Sequence, residues 1–362
     1  MKKERVINEI FWIRALACLA VVVIHSVNTT LNNYGSVISQ TDNHLLISVR
    51  FAVFFGTPAF VFISEMLLAH VYPENLPQGF FRKRIKYLLF PFIFVGIIFA
   101  FIMNDTWSEI GTGIFLNVFA GNYTGYFILV IFQFYILHYF FHRHLKKWEP
   151  KTVLIFSLLI NIAYLSVFNF TEAPGNLIAD YIWERGYWLV FFGWVFYFTL
   201  GYYCGVNYHS LKKKLLAYKW LVLLLPMISL LTVFILTRAE VLDVVSSKRV
   251  DNIFYTVSII FLIILLTSRL QSVPKWVSFI SKYSFNIYLL HKVFLYYLPV
   301  IEGMSPLMYF IAAFAFAVGS SVVASWFVSS FNWSSYFIGK TLPVPYQIKN
   351  NSKWQNMYKQ KI

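Results

Sequence analysis

Charge is scarce in this chain. Only 12% of its 362 residues are charged, and 30 basic residues stand against 15 acidic ones. With 59% hydrophobic and 20% aromatic residues, a soluble globular protein is excluded, because such a domain cannot hide that much apolar surface. Cysteine is almost absent. Cys18 and Cys204 both lie in hydrophobic stretches, which leaves no disulfide framework and no cysteine-based metal cluster. The chain also lacks a Walker A loop, a GxSxG elbow, a Rossmann fingerprint and metal-ligand spacing. An ATP-driven pump is therefore not expected, nor is a bound metal or resident cofactor. No low-complexity tract and no inverted repeat of the transporter kind is visible.

What is present is a series of hydrophobic segments of spanning length, at roughly 10–30, 45–71, 86–104, 124–142, 152–169, 187–207, 217–237, 252–268, 284–301 and 306–330. They predict an all-α polytopic membrane protein with about ten transmembrane helices; 107–120 reads as a re-entrant or interfacial helix. Lysine and arginine follow this count. Assigning alternate loops to the cytoplasm places 23 basic residues there and four (Arg185, Arg238, Lys248 and Arg249) outside. The remaining three, Arg14, Arg50 and Lys292, fall within helices. This asymmetry predicts that both termini are cytoplasmic, and it accounts for the net charge of +15 without nucleic acid. Trp12, Trp107, Trp183, Trp276 and Trp333 lie near the expected helix ends, as an aromatic belt requires. KKER before an apolar run looks like a signal peptide, but Arg14 interrupts the run, so an uncleaved first helix is expected. The organisation is one membrane domain, 1–338, and a basic cytoplasmic tail, 339–362.

Ionisable residues inside these segments are the candidates for chemistry. Arg14 and His25 share the first segment, IFWIRALACLAVVVIHSVNTT. Their separation of eleven residues returns to within roughly 20° of one helix face, about 16 Å further along. A mid-membrane arginine costs on the order of 2.5–3.5 kcal/mol, which a polar site in the bundle would justify. Snorkelling to the cytoplasmic surface is the other reading of Arg14, and a packed, hydrogen-bonded ring the other reading of His25. As an imidazole, His25 suits proton transfer. The second segment carries Ser64 and Glu65, and an Arg14–Glu65 ion pair is expected in the inner leaflet. Thr57-Pro58 predicts a kink beside His25. Arg82, Lys83, Arg84 and Lys86 form either an anchoring loop or a clamp for the phosphates of a nucleotide or CoA. Gln133 and His138 lie on the fourth segment. His291 and Lys292 lie on the ninth, with His291 expected about two turns from the cytoplasmic end and facing the bundle. Trp183, Glu184 and Arg185 precede the sixth segment on the outside, where they bind a sugar or cap the helix.

Taken together, Arg14-x10-His25, FGTPAFVFIS ahead of FRKRIKYLLFPF, and SKYSFNIYLLHKVF resemble the membrane-bound acyltransferase 3 family over residues 6 to 338. GYFILVIFQFYIL and FFGWVFYFTLGYYCG are similar to its intercellular-adhesin polysaccharide branch. The resemblance implies an O-acyltransferase that takes an acyl group from a cytoplasmic donor, acyl-CoA, and places it on a hydroxyl of a cell-envelope glycan or lipid-linked acceptor. It makes His25 the catalytic histidine, with Arg14 supporting it or contacting the donor. Glycan synthases enter as candidate partners. A polysaccharide exporter is the alternative for that branch. Two departures are visible. Ser64-Glu65-Met66 stands where the family commonly has Ser-Gly-Phe, and no hydrolase-like extracellular domain is fused, so handover of the acyl group is expected to finish within the membrane domain.

Overall fold

The computed structural model describes residues 7–344. Among these there are fifteen α-helices and no strand. They are α1 (Asn8–Tyr34), α2 (Gln40–Ala52), α3 (Gly56–Val71), α4 (Phe80–Arg84), α5 (Phe90–Met103), α6 (Trp107–Phe119), α7 (Phe127–Lys147), α8 (Pro150–Phe170), α9 (Leu177–Glu184), α10 (Val195–Val206), α11 (Tyr208–Ala217), α12 (Lys219–Arg238), α13 (Asn252–Thr267), α14 (Lys275–Tyr296) and α15 (Pro306–Val328). Each hydrophobic segment holds a helix, and seven helical stretches are long and apolar enough to cross a membrane. α10 and α13 are shorter apolar helices. α1 is the hub: it packs on α3, α13, α14 and α15. The termini and most of the basic tail, including Lys2, Lys3, Arg5 and 345–362, lie outside the described residues.

Three segments differ from the expected helices. The second is broken at 53–55, just upstream of Thr57-Pro58, so that Pro58 falls in the first turn of α3. There its missing N–H removes no helical bond, because first-turn amides have no intrahelical acceptor. The sixth is helical only in its second half. Two 3₁₀ turns, Gly186–Trp188 and Phe191–Gly193, precede α10. Irregular backbone at membrane depth needs internal partners, and two amide side chains supply them. Gln133 donates to Leu189 O and accepts from Phe191 N, while Asn161 donates to Gly193 O and accepts from Phe196 N. Gln133 thus supports the backbone. The ninth starts earlier than its hydropathy suggests, at Lys275 behind Pro274. Lys275, Lys282 and the serines between them mask its first turns. His291 is therefore sixteen residues from the helix start, about 24 Å, and belongs to the opposite end from the one expected.

Loops assigned to one side by charge also meet in space. At the basic end, Glu9 pairs with Lys212 (2.9 Å), Lys146 with Glu74 (2.6 Å), and Leu342 N donates to Lys282 O. At the far end, Arg185 holds Asn122, Asn169 holds Lys248 O, and the Tyr34 hydroxyl donates to Ile301 O.

The most extensive helix contact is α3 with α10. A Cβ at Gly201 or Gly205 would collide with the carbonyl oxygens of Phe62 and Met66 respectively, so this small-xxx-small pair sets the helix separation and with it the position of Glu65. Gly205→Ala is expected to destabilise the protein by about 1–3 kcal/mol, seen as a lower unfolding temperature in detergent. Gly319→Ala, where a Cβ meets nothing within 4 Å, should leave it unchanged.

A candidate active site along the first helix

α1 carries two polar groups on one face, and each joins a different cluster. At the far end, the half-buried ring of His25 lies against that of His291, with centroids 5.1 Å apart and planes at 43°. His291 is fully buried. Its Nδ1 sits 2.9 Å from Ile287 O; a carbonyl only accepts, so Nδ1 carries the proton and a neutral ring leaves Nε2 as an acceptor. That Nε2 has no hydrogen-bond partner among the described residues. The late start expected for α14 had put His291 on the donor side; the observed helix puts it beside His25.

Three cations complete this cluster. Lys292, Lys248 and Arg185 all bear electrostatically on His25. Lys248 comes from the loop between α12 and α13 and is 8% exposed. Its Nζ stands 3.5 Å from the centre of the Trp188 ring and 5.1 Å from that of Tyr126. Burial, and then the Arg185 guanidinium, hold the Lys248 ammonium well below the usual lysine range. The loop is fixed by its neighbour. Arg249, wholly buried, grips Asp251 through Nε (2.9 Å) and Nη2 (2.6 Å) and donates to Thr237 and to backbone carbonyls. Val250 N and Lys248 O are both held by Asn169. Arg185 is anchored through Nη1 on Asn122, at 2.7 Å from both its backbone and side-chain oxygens. No acidic group of the described residues lies within salt-bridge distance of Lys248, Lys292 or Arg185.

At the basic end, Arg14 is half-buried. Its guanidinium lies 5.8 Å from the Phe11 ring, and Tyr135 and Arg84 bear on it. Arg84 stacks over Phe80 (4.8 Å) and Tyr135 (5.1 Å). The expected Arg14–Glu65 pair does not form. Glu65, 2% exposed, turns to α7, where Oε1 is 2.6 Å from His138 Nδ1. The α3–α10 contact packs Glu65 into the core, and α7 supplies the nearest polar group there. His142 stacks on His138 at 5.2 Å, extending a buried polar column toward the basic end. Ser64, half-buried beside Glu65, forms no hydrogen bond among the described residues. Arg82 is exposed, so of the basic cluster it is Arg84 whose charge bears on Arg14.

Of the outer candidates, Arg185 joins the His25 cluster and Trp183 does not: its indole N–H donates to Thr171 and its ring packs on Phe168. Trp188 forms the aromatic wall instead. Lys248 and Trp188 were missed as site residues. Lys248 reads as one more external cation, and only burial, which the sequence does not mark, sets it apart.

The acyltransferase 3 family model, described as an acyltransferase domain, matches residues 7–326. The chain is 39% identical, over 92% of its length and 94% of the relative's, to a Bacillus subtilis (strain 168) protein named membrane-bound acyltransferase YfiQ. It is 26% identical, over 97% of its length and all of the relative's, to a Staphylococcus aureus protein named for poly-beta-1,6-N-acetyl-D-glucosamine export. A Staphylococcus epidermidis protein of that name is 24% identical over 82% of each chain. No solved structure matches.

Proposed function

This chain belongs to the acyltransferase 3 family, and from that premise we propose that it moves an acyl group from cytoplasmic acyl-CoA to a hydroxyl of a cell-envelope glycan. It is a multipass bacterial membrane protein and an acyltransferase; donor, acceptor and residue roles are the parts proposed. The observation that carries the reading is the His25–His291 contact, reached from Arg14 along one face of α1 over about 16 Å. Arg14 and Arg84 present two guanidiniums at the basic end, suited to the phosphates of CoA. His25 takes the proton of the acceptor hydroxyl as its oxygen attacks the thioester carbonyl. The C–O bond forms, the C–S bond breaks, and the imidazolium returns the proton to the departing thiolate. A short-lived acyl-imidazole is the covalent variant of the same chemistry. His291, fixed by its bond to Ile287 O, positions the His25 ring.

The glycan acceptor is supported by the polysaccharide in the names of the staphylococcal relatives. Those names also favour a second reading, export, in which the polar face of α1 is a path and not a reaction centre. Mass analysis of envelope glycans from cells with and without the gene separates the two. Loss of ester-sized mass increments on deletion supports transfer. Loss of surface glycan with its ester content unchanged supports export.

A further inference from the structure

The far-end cluster holds three cations, none of them paired with an acid among the described residues. The acidic neighbour closest in sequence to Lys248, Asp251, is taken by Arg249 through two nitrogens. Lys248 is nonetheless more than nine-tenths buried, at a place where an unpaired ammonium is costly. Its contact with the Trp188 face offsets part of that cost. The loop shows that the position is built, because Arg249 holds Leu242 O from within the loop while Asn169 of α8 and Asn252 of α13 hold its backbone from two helices. The Trp188 ring also lies 5.5 Å from the Arg185 guanidinium, so one indole adjoins two of the cations. Arg185 bears on Lys248 and also on Lys292 of α14, and all three bear on His25.

We propose that Lys248, Lys292 and Arg185 form a binding site for an anionic group, a carboxylate or a phosphate, carried by the molecule that is processed at His25. This deepens the acyl-transfer reading and rests on it for what the anion belongs to; the binding itself does not need turnover. Two sources share the chemistry. The anion is the free carboxylate of a dicarboxylic acyl group, or it is a phosphate or uronate on the acceptor.

The test is equilibrium binding to the full chain in nanodiscs of zwitterionic phosphatidylcholine, read by calorimetry and by the shift in unfolding temperature. The probes are monomethyl esters of three- to five-carbon dicarboxylic acids, methyl phosphate and methyl glucuronide, with a neutral dimethyl ester as control. Saturable binding of at least one anion, with none of the neutral ester, is expected. Lys248→Met should weaken it at least tenfold, as removal of one partner from a desolvated charge pair does. Arg238→Gln, an exposed cation elsewhere on the same side, should not. Lys292→Gln carries the same expectation from α14 should Lys248→Met fold poorly. Preference for the half-esters assigns the anion to the acyl group, and preference for the phosphate or uronate assigns it to the acceptor. The absence of saturable anion binding overturns the proposal, as does equal binding by wild type, Lys248→Met and Lys292→Gln. His25→Ala should still bind the anion, so an anion site that fails and a base that fails give different results.

Discussion

Substituting His25 by Ala is expected to lower acyl transfer by roughly 100- to 10,000-fold, with the protein still inserted and folded. The fold tolerates the change for two reasons. His25 is half-buried and makes no hydrogen bond to another described residue, so its removal orphans no partner. Replacing imidazole by methyl also makes α1 easier to insert into a bilayer. The chemistry does not tolerate it, because no other imidazole shares the face of α1 that leads to Arg14. His291→Ala is the comparison. If His291 positions His25, its loss should lower turnover less and keep the imidazole limb of the pH–rate profile, which His25→Ala abolishes. The readout is ester formation on the envelope glycan together with thermal unfolding in detergent. Normal acylation by folded His25→Ala protein would defeat the assignment of the base, and equal losses in both variants would make the two rings a single catalytic unit.

Much of this architecture was legible in the sequence because the membrane simplifies the problem. Long apolar stretches must be helical, and the alternation of lysine-rich loops pairs their ends, which the Glu9–Lys212 and Arg185–Asn122 contacts match. The shared face of Arg14 and His25 follows from helix geometry alone. What was not legible depended on tertiary contacts. The partner of Glu65 is set by how closely Gly201 and Gly205 let α10 approach α3, and no one-dimensional pattern fixes that α7 then presents His138. The position of His291 was misplaced by hydropathy, since the first three turns of α14 are polar enough to look like loop although they are helical. The burial of Lys248 depends on Arg249 pinning a loop from inside, and two adjacent buried cations, one paired with an acid and one not, look alike in a sequence.

The second large effect concerns that Glu65–His138 pair. Both side chains are at most 2% exposed, and their contact is 2.6 Å. A buried pair of this kind contributes little against a well-packed apolar replacement, but breaking it from one side strands the other group. Glu65→Ala would leave His138, whose Nε2 already lacks a partner among the described residues, with neither ring nitrogen bonded to them. His138→Ala would remove the one donor that the Glu65 carboxyl has among the described residues. Each single change is therefore expected to cost roughly 3–5 kcal/mol, enough to remove most folded protein from a marginally stable domain. Glu65→Met with His138→Leu, which fills the space and removes both polar groups, should recover most of the unfolding temperature. Arg14→Met should not rescue Glu65→Ala, because Arg14 lies over the Phe11 ring and is not the partner of Glu65, which His138 holds. Unfolding midpoints of these variants in one detergent decide the matter. A double variant less stable than either single one would show that packing around α3 and α7, and not the mutual satisfaction of carboxyl and imidazole, keeps these two residues in the core.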